Sequence, residues 1–216
     1  THFNKLNIVF ITKLGKIRKN NLEDFKNIQS NRKIVMKLDK GDEIVSVKLL
    51  KAKEDIMINS YLGKSLRVNS EKIRLFKGRG SKGVKGISLK NNDKVISLSV
   101  LGQNLISSNK DEMKSKEEFI LTITENGYGK QTSLDEYKVQ NRGGSGIKTA
   151  KVTEKNGKII SAAVINEEVS EVVAMSKKGQ VIRIKIDEIP ELGRQTQGVR
   201  VMKLRAGDKI ASLVCL

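Results

Sequence analysis

The amino-acid sequence predicts an all-β fold built from four repeats of one small, four-stranded, propeller-type blade. Each repeat opens with an apolar run that ends in a glycine turn, and closes with an apolar strand that contains a serine. The glycines are Gly15, Gly63, Gly127 and Gly179, and the serines are Ser46, Ser97, Ser161 and Ser212. The two landmarks keep nearly the same spacing, about 48, 64 and 52 residues for the glycines and about 51, 64 and 51 for the serines. A period of this size is typical of repeat architectures, in which each unit buries its face against its neighbours.

Within each repeat the apolar residues alternate with polar ones. Val45, Val47 and Leu49 fall on one face of a strand, while Ser46 and Lys48 fall on the other. A period of two is typical of half-buried antiparallel strands. Four such strands in roughly 45 residues, separated by glycine and asparagine turns, make one blade.

The boundaries of the repeats follow from these landmarks. We place the four units at about residues 8–50, 55–101, 119–165 and 171–216. The polar, charged segment 104–118 explains the long middle step and is expected to be an exposed insertion. Because the first strand begins close to Thr1, further blades before that residue are an open alternative.

The composition points to an anionic partner. The chain has 42 Lys and Arg against 24 Asp and Glu, a formal charge of +18, and most of this excess lies in the first half. Nucleic acid is the first expectation and an acidic membrane surface the second. A basic, soluble surface without a specific partner is the alternative.

Residue types that support catalysis are scarce. The single histidine, His2, stands at the chain start, and the single cysteine, Cys215, has no partner for a disulfide. Asp42, Asp93 and Asp208 recur, but always in tight turns, where they favour turn formation. The sequence therefore predicts no catalytic residue, no metal site and no cofactor site. A lone cysteine and the lack of a long apolar run favour a cytoplasmic protein.

Basic residues recur in two places in every repeat. The first set follows the glycine turns: Arg18, Lys19, Lys64, Arg67, Lys130 and Arg183. The second set lies in the connection before each serine strand: Arg32, Lys33, Arg74, Lys77, Arg79, Lys82, Lys85, Arg142, Lys148, Arg194 and Arg200. Repeats arranged around an axis would bring matching positions to one rim, where they would follow a phosphate backbone without reading base sequence.

The low aromatic content, 4%, distinguishes between kinds of nucleic acid. Proteins that bind single strands stack the bases on exposed rings, which this chain largely lacks. Duplex DNA, held by its backbone and bent, is therefore the expected partner.

One segment resembles a motif of a known family. Residues 140–146, Gln-Asn-Arg-Gly-Gly-Ser-Gly, are similar to the glycine–arginine box, Gln-Arg-Arg-Gly-Gly-Lys-Gly, of the C-terminal domain of bacterial DNA gyrase A. Three further stretches resemble the same domain: residues 125–130 with Glu136-Tyr137, residues 151–157 and residues 193–199. The residues that match the box are Gln140, Arg142, Gly143, Gly144 and Gly146. Asn141 and Ser145 stand where the box has basic residues.

The resemblance implies a β-pinwheel, a propeller-like domain for which the family has six blades. In that family the domain wraps duplex DNA around a basic rim and presents a segment for strand passage, which leads to negative supercoiling. ATP and Mg²⁺ are used elsewhere in the holoenzyme, so this chain would be a non-catalytic DNA-binding domain of an isomerase, a type IIA topoisomerase. Its partners would be duplex DNA, the rest of gyrase A and, through it, gyrase B in a heterotetramer. Its location would be the bacterial cytoplasm, in association with the nucleoid.

The family's box belongs to its first blade, whereas the similar motif lies in the third repeat here, which suggests that earlier blades precede Thr1. Two alternatives stay open. The C-terminal domain of the A subunit of topoisomerase IV has the same blades with a degenerate or absent box, and it steers substrate choice. More distantly, a propeller can serve as a protein-docking platform.

Overall fold

The computed structural model describes residues 6–26, 34–51, 53–102 and 118–216. These residues form short strands joined by tight turns. The strands are β1 (Asn7–Thr12), β2 (Lys16–Asn21), β3 (Ile44–Leu50), β4 (Asp55–Ser60), β5 (Lys64–Asn69), β6 (Leu75–Phe76), β7 (Val84–Lys85), β8 (Val95–Leu101), β9 (Phe119–Thr124), β10 (Tyr128–Ser133), β11 (Val139–Gln140), β12 (Ile147–Lys148), β13 (Ile159–Ile165), β14 (Glu171–Ser176), β15 (Val181–Lys185), β16 (Val199–Arg200) and β17 (Ile210–Cys215). The all-β prediction is confirmed.

Among the described residues, one short 3₁₀ turn follows the second strand of each repeat. The four turns are Leu22–Phe25, Ser70–Lys72, Leu134–Glu136 and Ile186–Glu188. Within the described ranges, none of the helices is long and apolar enough to cross a membrane.

Three long strands of each repeat form a sheet with its first strand in the middle, as in the order β3-β1-β2. In three of the sheets, short strands from the following repeat pair with the outer long strand. The pairs are β6 and β7 on β2, β11 and β12 on β5, and β16 on β10. The basic connections of the second, third and fourth repeats therefore hydrogen-bond to the repeat before them. Among the described residues, the sheet of the fourth repeat has three strands, β15-β14-β17.

The serine landmark has a structural cause. In β13 the residue before Ser161 is skipped by the pairing, because Ile159 pairs with Thr124 and Ser161 with Ile123. The same irregularity precedes Ser46 in β3 and Ser212 in β17. The extra residue is a β-bulge, which increases the local twist of the sheet.

The chain divides into two compact units. The first comprises residues 1–58, 66–103 and 139–146, and the second comprises residues 59–65, 104–138 and 147–216. Each unit has its own apolar core. In the first, Val9, Ile11 and Ile58 are fully buried, and in the second, Ile123 and Val172 are. Burial of this kind is the main favourable term for folding.

The predicted apolar face of β3 is less buried than expected. Val47 is 44% exposed and Leu49 is 49% exposed, whereas Leu50, on the opposite face, is completely buried. The reason is that β3 lies at the edge of its sheet, so its central residues have few neighbours on that side.

Glycine is required at the turn position both by the hairpin conformation and by a close contact with the next repeat. Gly63 has φ +90° and its amide donates to the Ser60 carbonyl, 3.2 Å away, which closes the turn between β4 and β5. A Cβ atom at Gly63 would lie 2.7 Å from the carbonyl oxygen of Ala150, in the following connection. Only glycine supplies both the left-handed conformation and this close approach.

We expect alanine at Gly127 to destabilise the second unit more than alanine at Gly179. Both glycines have φ near +80°, but a Cβ at Gly127 would lie against the Met202 carbonyl oxygen and 3.0 Å from Met202 Cβ, while a Cβ at Gly179 meets nothing within 4 Å. Gly179→Ala should cost about 1 kcal/mol from backbone strain alone. Gly127→Ala should cost about 3 kcal/mol, because overpacking adds to the strain. Urea denaturation measures both, and equal losses would contradict the packing argument.

Candidate nucleic-acid interface

A repeated backbone hydrogen bond sets the positions of the basic connections. In each case an amide of one connection donates to a carbonyl in the next connection along the chain. The three bonds are Lys37 to Ser81 (3.2 Å), Ser88 to Gly144 (2.9 Å) and Lys151 to Thr196 (2.9 Å). The donors fall at matching positions of the first three repeats, and the acceptors at matching positions of the last three. The backbone of each connection therefore has an equivalent place against the next connection.

Three segments of the first unit, each with a basic residue, pair with one another. Lys85 of β7 lies directly opposite Lys16 of β2 in the antiparallel register. The Arg142 guanidinium donates to the Lys85 carbonyl oxygen, 3.3 Å away. Lys85 and Arg142 are exposed, and Lys16 is partly buried. We call Lys16, Lys85 and Arg142 the first cation cluster.

The same arrangement occurs in the second unit. Lys148 of β12 lies opposite Lys64 of β5, and the Arg194 guanidinium donates to the Lys148 carbonyl oxygen at 3.0 Å. Lys148 is exposed, and Lys64 and Arg194 are partly buried. We call Lys64, Lys148 and Arg194 the second cation cluster. Like charges directly opposite each other on adjacent strands destabilise a sheet, and in this cluster the Glu136 carboxylate lies 3.8 Å from the Arg194 guanidinium.

The next matching position carries an aromatic residue instead of a lysine. Arg200 of β16 lies opposite Tyr128 of β10, with its guanidinium carbon 5.6 Å from the ring centre. A cation over an aromatic face is attracted to it. Arg200 is nevertheless exposed at the surface of the second unit.

Other predicted contacts lie in the loop before β7. Arg74, Lys77 and Lys82 are exposed, and Arg79 is partly buried. Lys82 forms an ion pair with Asp39, which also pairs with Lys16. Hydrogen bonds from these two lysines lower the pKa of the Asp39 carboxyl. Asp39 thus offsets part of the positive charge here.

The structure corrects the predicted role of Arg18. Its side chain is fully buried and donates to the Gly78 carbonyl oxygen, to the Ser81 carbonyl oxygen at 2.6 Å and to the Ser81 hydroxyl at 2.7 Å. Its guanidinium carbon lies 4.6 Å from the centre of the Phe76 ring. A side chain enclosed in this way cannot reach a phosphate outside the protein.

Lys130 receives the same correction. It is 1% exposed, and its ammonium donates to the Gly193 carbonyl oxygen at 2.7 Å and to the Thr196 hydroxyl at 3.2 Å. Burial lowers the pKa of this lysine to about 8, because removal from water disfavours the charged form. Neither Arg18 nor Lys130 was recognised as a core residue from the sequence, since the groups to which they bond lie about 60 residues away in the chain.

Three further predicted contacts have hydrogen-bond partners within the protein, although the Arg183 side chain is exposed. Lys19 is 9% exposed and donates to the Ser70 carbonyl oxygen at 2.6 Å. Arg67 bonds to Asp55 at 2.9 Å, and Arg183 bonds to Glu171 at 2.6 Å. Lys19 is therefore corrected to a structural residue, while the role of Arg67 and Arg183 in binding stays a prediction.

The box-like motif is folded onto the preceding connection. The Gly143 amide donates to the Gly86 carbonyl oxygen at 2.6 Å, and the Ser88 hydroxyl donates to the Gly143 carbonyl oxygen at 2.7 Å. Gly143 has φ +80° and Gly146 φ +67°, which glycine adopts without strain. A Cβ at Gly144 would lie 3.7 Å from Leu66. These contacts present Arg142 at the surface.

Two residues that depart from the family's box differ in their surroundings. Asn141 accepts a hydrogen bond from the Lys72 ammonium at 3.1 Å, so a lysine from elsewhere in the first unit lies beside it. Ser145 is exposed. Gln140 is partly buried at the end of β11.

Two predicted residues, Arg32 and Lys33, lie outside the described residues, as does nearly all of the predicted insertion 104–118. One residue of the first cation cluster, Lys16, was missed. The signal that could have found it is its place directly after Gly15, which matches Lys64 after Gly63.

Two of the turn carboxylates accept backbone amides from a hairpin turn elsewhere in their repeat. Asp42 accepts the amide of Leu14 at 2.9 Å, and Asp208 accepts the amide of Lys178 at 3.1 Å. Across the part of the chain that the structure describes, no group of three or more His, Cys, Asp or Glu side chains could hold a metal ion.

The repeated blades and their basic connections define a β-propeller class of domain, and the comparisons identify its family. The family model described as "DNA gyrase C-terminal domain, beta-propeller" matches this sequence over residues 6–51, 55–101, 118–166 and 170–216. The chain therefore belongs to the DNA gyrase C-terminal domain family.

Individual relatives agree with this assignment. The A subunit of DNA gyrase from Rickettsia felis is 35% identical over 246 residues, which cover 98% of this chain and 27% of that protein. The Staphylococcus epidermidis counterpart is 37% identical over 206 residues, which cover 95% of this chain and 22% of that protein. The chain thus spans about a quarter of the length of these curated relatives.

Solved structures have the same fold. A structure of the DNA gyrase A C-terminal domain aligns with a TM-score of 0.80 at 26% identity, covering 98% of this chain and 66% of that one. The C-terminal domain of DNA topoisomerase IV aligns with a TM-score of 0.85 at 21% identity, covering 98% and 62%. At that identity the second likeness shows the fold alone.

The burial of Lys130 predicts a pH dependence of stability. The folded protein releases this proton near pH 8, whereas the unfolded chain holds it to about pH 10.4. Between these values the unfolded state binds more protons, so the contribution of Lys130 to the free energy of unfolding rises with pH. Relative to Lys130→Met, the chain should gain on the order of 2–3 kcal/mol between pH 8 and pH 10.5.

Urea denaturation of both proteins across this range measures the effect. The exposed Lys48, changed to Met, is the matched control and should leave the pH profile unchanged. Parallel pH profiles for the chain and Lys130→Met would show that the buried ammonium does not titrate in this window.

Proposed function

We propose that this domain binds duplex DNA through the phosphate backbone, along its basic connections, and bends the duplex as it does so. The observation that carries the proposal is the repetition of the cation cluster. Lys85 with Arg142 and Lys148 with Arg194 have the same register and the same guanidinium-to-carbonyl bond. A backbone of regularly spaced phosphates matches a series of cationic clusters repeated at equivalent sites.

The clusters favour phosphate over base recognition. Their basic side chains stand at strand ends and glycine turns, and backbone and cation contacts of this kind carry no base sequence information. Among the described residues no aromatic ring is fully exposed, and Tyr128 and Tyr137 are at least 95% buried. Base stacking, the main mode of single-strand binding, therefore has only partly exposed rings to use in the described ranges.

Membership of the gyrase family indicates a role for the proposed DNA binding. We propose that the domain holds a DNA segment beside the rest of gyrase A, so that the holoenzyme, with gyrase B, passes one segment through another and introduces negative supercoils. In this role the domain itself supplies no catalytic group, and ATP and Mg²⁺ act elsewhere in the holoenzyme. Its place is then with the bacterial nucleoid.

Neutralising the exposed residues of the first cation cluster should weaken DNA binding. Lys85→Gln with Arg142→Gln removes two phosphate partners, and the slope of log K against log salt should become shallower by about 1.8. The affinity for a duplex at low salt should fall at least about tenfold. Fluorescence anisotropy with a labelled duplex, over a series of salt concentrations, measures both quantities.

The matched control removes the same charge from the same unit. Lys48→Gln with Lys51→Gln changes two exposed lysines at and beyond the end of β3. This control should change the slope by less than half as much. Equal effects of the two double variants would mean that only net charge matters, and an unchanged affinity for Lys85→Gln/Arg142→Gln would favour the protein-docking alternative.

Bending or wrapping has its own readout. Nicked circular DNA ligated with the chain bound should show a shifted linking number relative to DNA ligated alone. A variant with glutamine at Lys85, Arg142, Lys148 and Arg194 should give no shift at the same protein concentration. An unshifted linking number with the unmodified chain at saturation would reduce the proposal to binding without wrapping.

A further inference from the structure

Two cations that the sequence placed among the DNA contacts hold a loop of the next repeat in the same way. Arg18 and Lys130 both lie three residues after the glycine of a hairpin turn. Arg18 bonds to the Gly78 carbonyl oxygen and the Ser81 hydroxyl, and Lys130 bonds to the Gly193 carbonyl oxygen and the Thr196 hydroxyl.

The loops that the two cations hold follow the same sequence pattern. Gly78-Arg79-Gly80-Ser81 and Gly193-Arg194-Gln195-Thr196 share the pattern Gly-Arg-x-Ser/Thr. In each loop the buried cation bonds on both sides of the arginine, to the carbonyl before it and to the hydroxyl after it. The exposed part of the loop is thus tied down at two points around one basic side chain.

The second repeat supplies an internal comparison. Its residue three after the turn glycine is Leu66, which has no group to donate. The loop it meets is the box-like motif, where Gly144 stands at the place of Ser81 and Thr196. Gly144 offers no hydroxyl, and a Cβ there would lie 3.7 Å from Leu66 Cδ1. A hydroxyl is therefore present where the buried residue is a cation and absent where it is apolar.

Neighbouring side chains reinforce the grip on both loops. The Asn20 side-chain amide donates to the Phe76 carbonyl oxygen at 3.0 Å and to the Gly78 carbonyl oxygen at 2.8 Å. In the second unit, the Thr132 hydroxyl donates to the Leu192 carbonyl oxygen at 2.8 Å. Asn20 and Thr132 both lie two residues beyond the buried cation.

We propose that Arg18 and Lys130 are positioning residues, which fix the Gly-Arg-x-Ser/Thr loops so that Arg79 and Arg194 are presented to a DNA phosphate. The inference rests on the proposed function, because it assigns a role within DNA binding. An arginine on an unrestrained loop would have to lose conformational freedom on binding, whereas a loop held in advance has already lost it. The buried cations thus contribute to affinity without contacting DNA.

The test is a double-mutant cycle between Arg18 and Arg79, read by duplex affinity and its salt dependence. Arg79→Gln should make the salt slope shallower by about 0.9, the value for one phosphate. Arg18→Met should weaken binding several-fold and lower the slope by a similar amount, although Arg18 itself is buried. In the Arg79→Gln background, Arg18→Met should have less than a twofold further effect. Arg18→Lys should retain most of the affinity.

Two further variants keep the test decisive. Ser81→Ala removes one acceptor at the exposed end of the loop and leaves the core intact, so it should fold and weaken binding two- to threefold. Leu66→Met changes the matching buried position of the second repeat and should lower the melting temperature without altering the salt slope.

The outcomes separate the two proposals. Equal effects of Arg18→Met with and without Arg79, or a loss of stability with an unchanged slope, would overturn the positioning role. If the chain shows no salt-dependent duplex binding, or Lys85→Gln/Arg142→Gln binds unchanged, the proposed function fails instead. A salt slope that falls for Arg79→Gln but not for Arg18→Met, with an unchanged affinity of Ser81→Ala, would leave DNA binding standing and remove the positioning role.

Discussion

The candidate nucleic-acid interface depends on the backbone hydrogen bond that joins each basic connection to the next. It joins Ser88 to Gly144 in the first unit and Lys151 to Thr196 in the second, with the same 2.9 Å distance. Every residue except proline carries both a backbone N–H and a C=O, so the same bond forms in both units although the side chains around it differ. It fixes the register of one connection against the next, and the basic residues follow from that register. Lys85 and Lys148 are thereby placed beside Arg142 and Arg194.

The interior of the domain contains buried cationic side chains, among them Arg18 and Lys130. Burying a cation costs several kcal/mol unless hydrogen bonds replace the lost water, and such groups add little net stability. Arg18 offsets this cost with bonds to Asn20, Gly78 and Ser81, and by stacking on Phe76. What it supplies in return is geometry, since a planar guanidinium with several donors defines the positions of all its acceptors. Leu66, at the matching place, gives packing without that constraint.

Much of the fold could be predicted from the sequence because its signals are local. The turn glycines mark left-handed backbone at Gly15 and Gly63, and the serine landmark marks a bulge, so each recurs wherever the hairpin recurs. The strand exchange between repeats could not be predicted, because two-residue strands such as β7 leave no periodic pattern. The burial of basic residues could not be predicted from the sequence either. Nothing near Arg18 or Lys130 in the sequence distinguishes them from exposed residues such as Lys85, since their acceptors lie about 60 residues away.

The central claim is that equivalent basic residues of successive repeats contact one duplex in order. Site-specific cross-linking tests it most directly, with single cysteines at Lys85, Lys148 or Arg200 in a Cys215→Ser background and thiol-reactive groups at known phosphates of one duplex. The account predicts that the three positions cross-link to the same molecule, at sites that advance along it in the order of the repeats. Cross-links at a single common site, or equal reaction from a cysteine at the exposed Lys48, would contradict it.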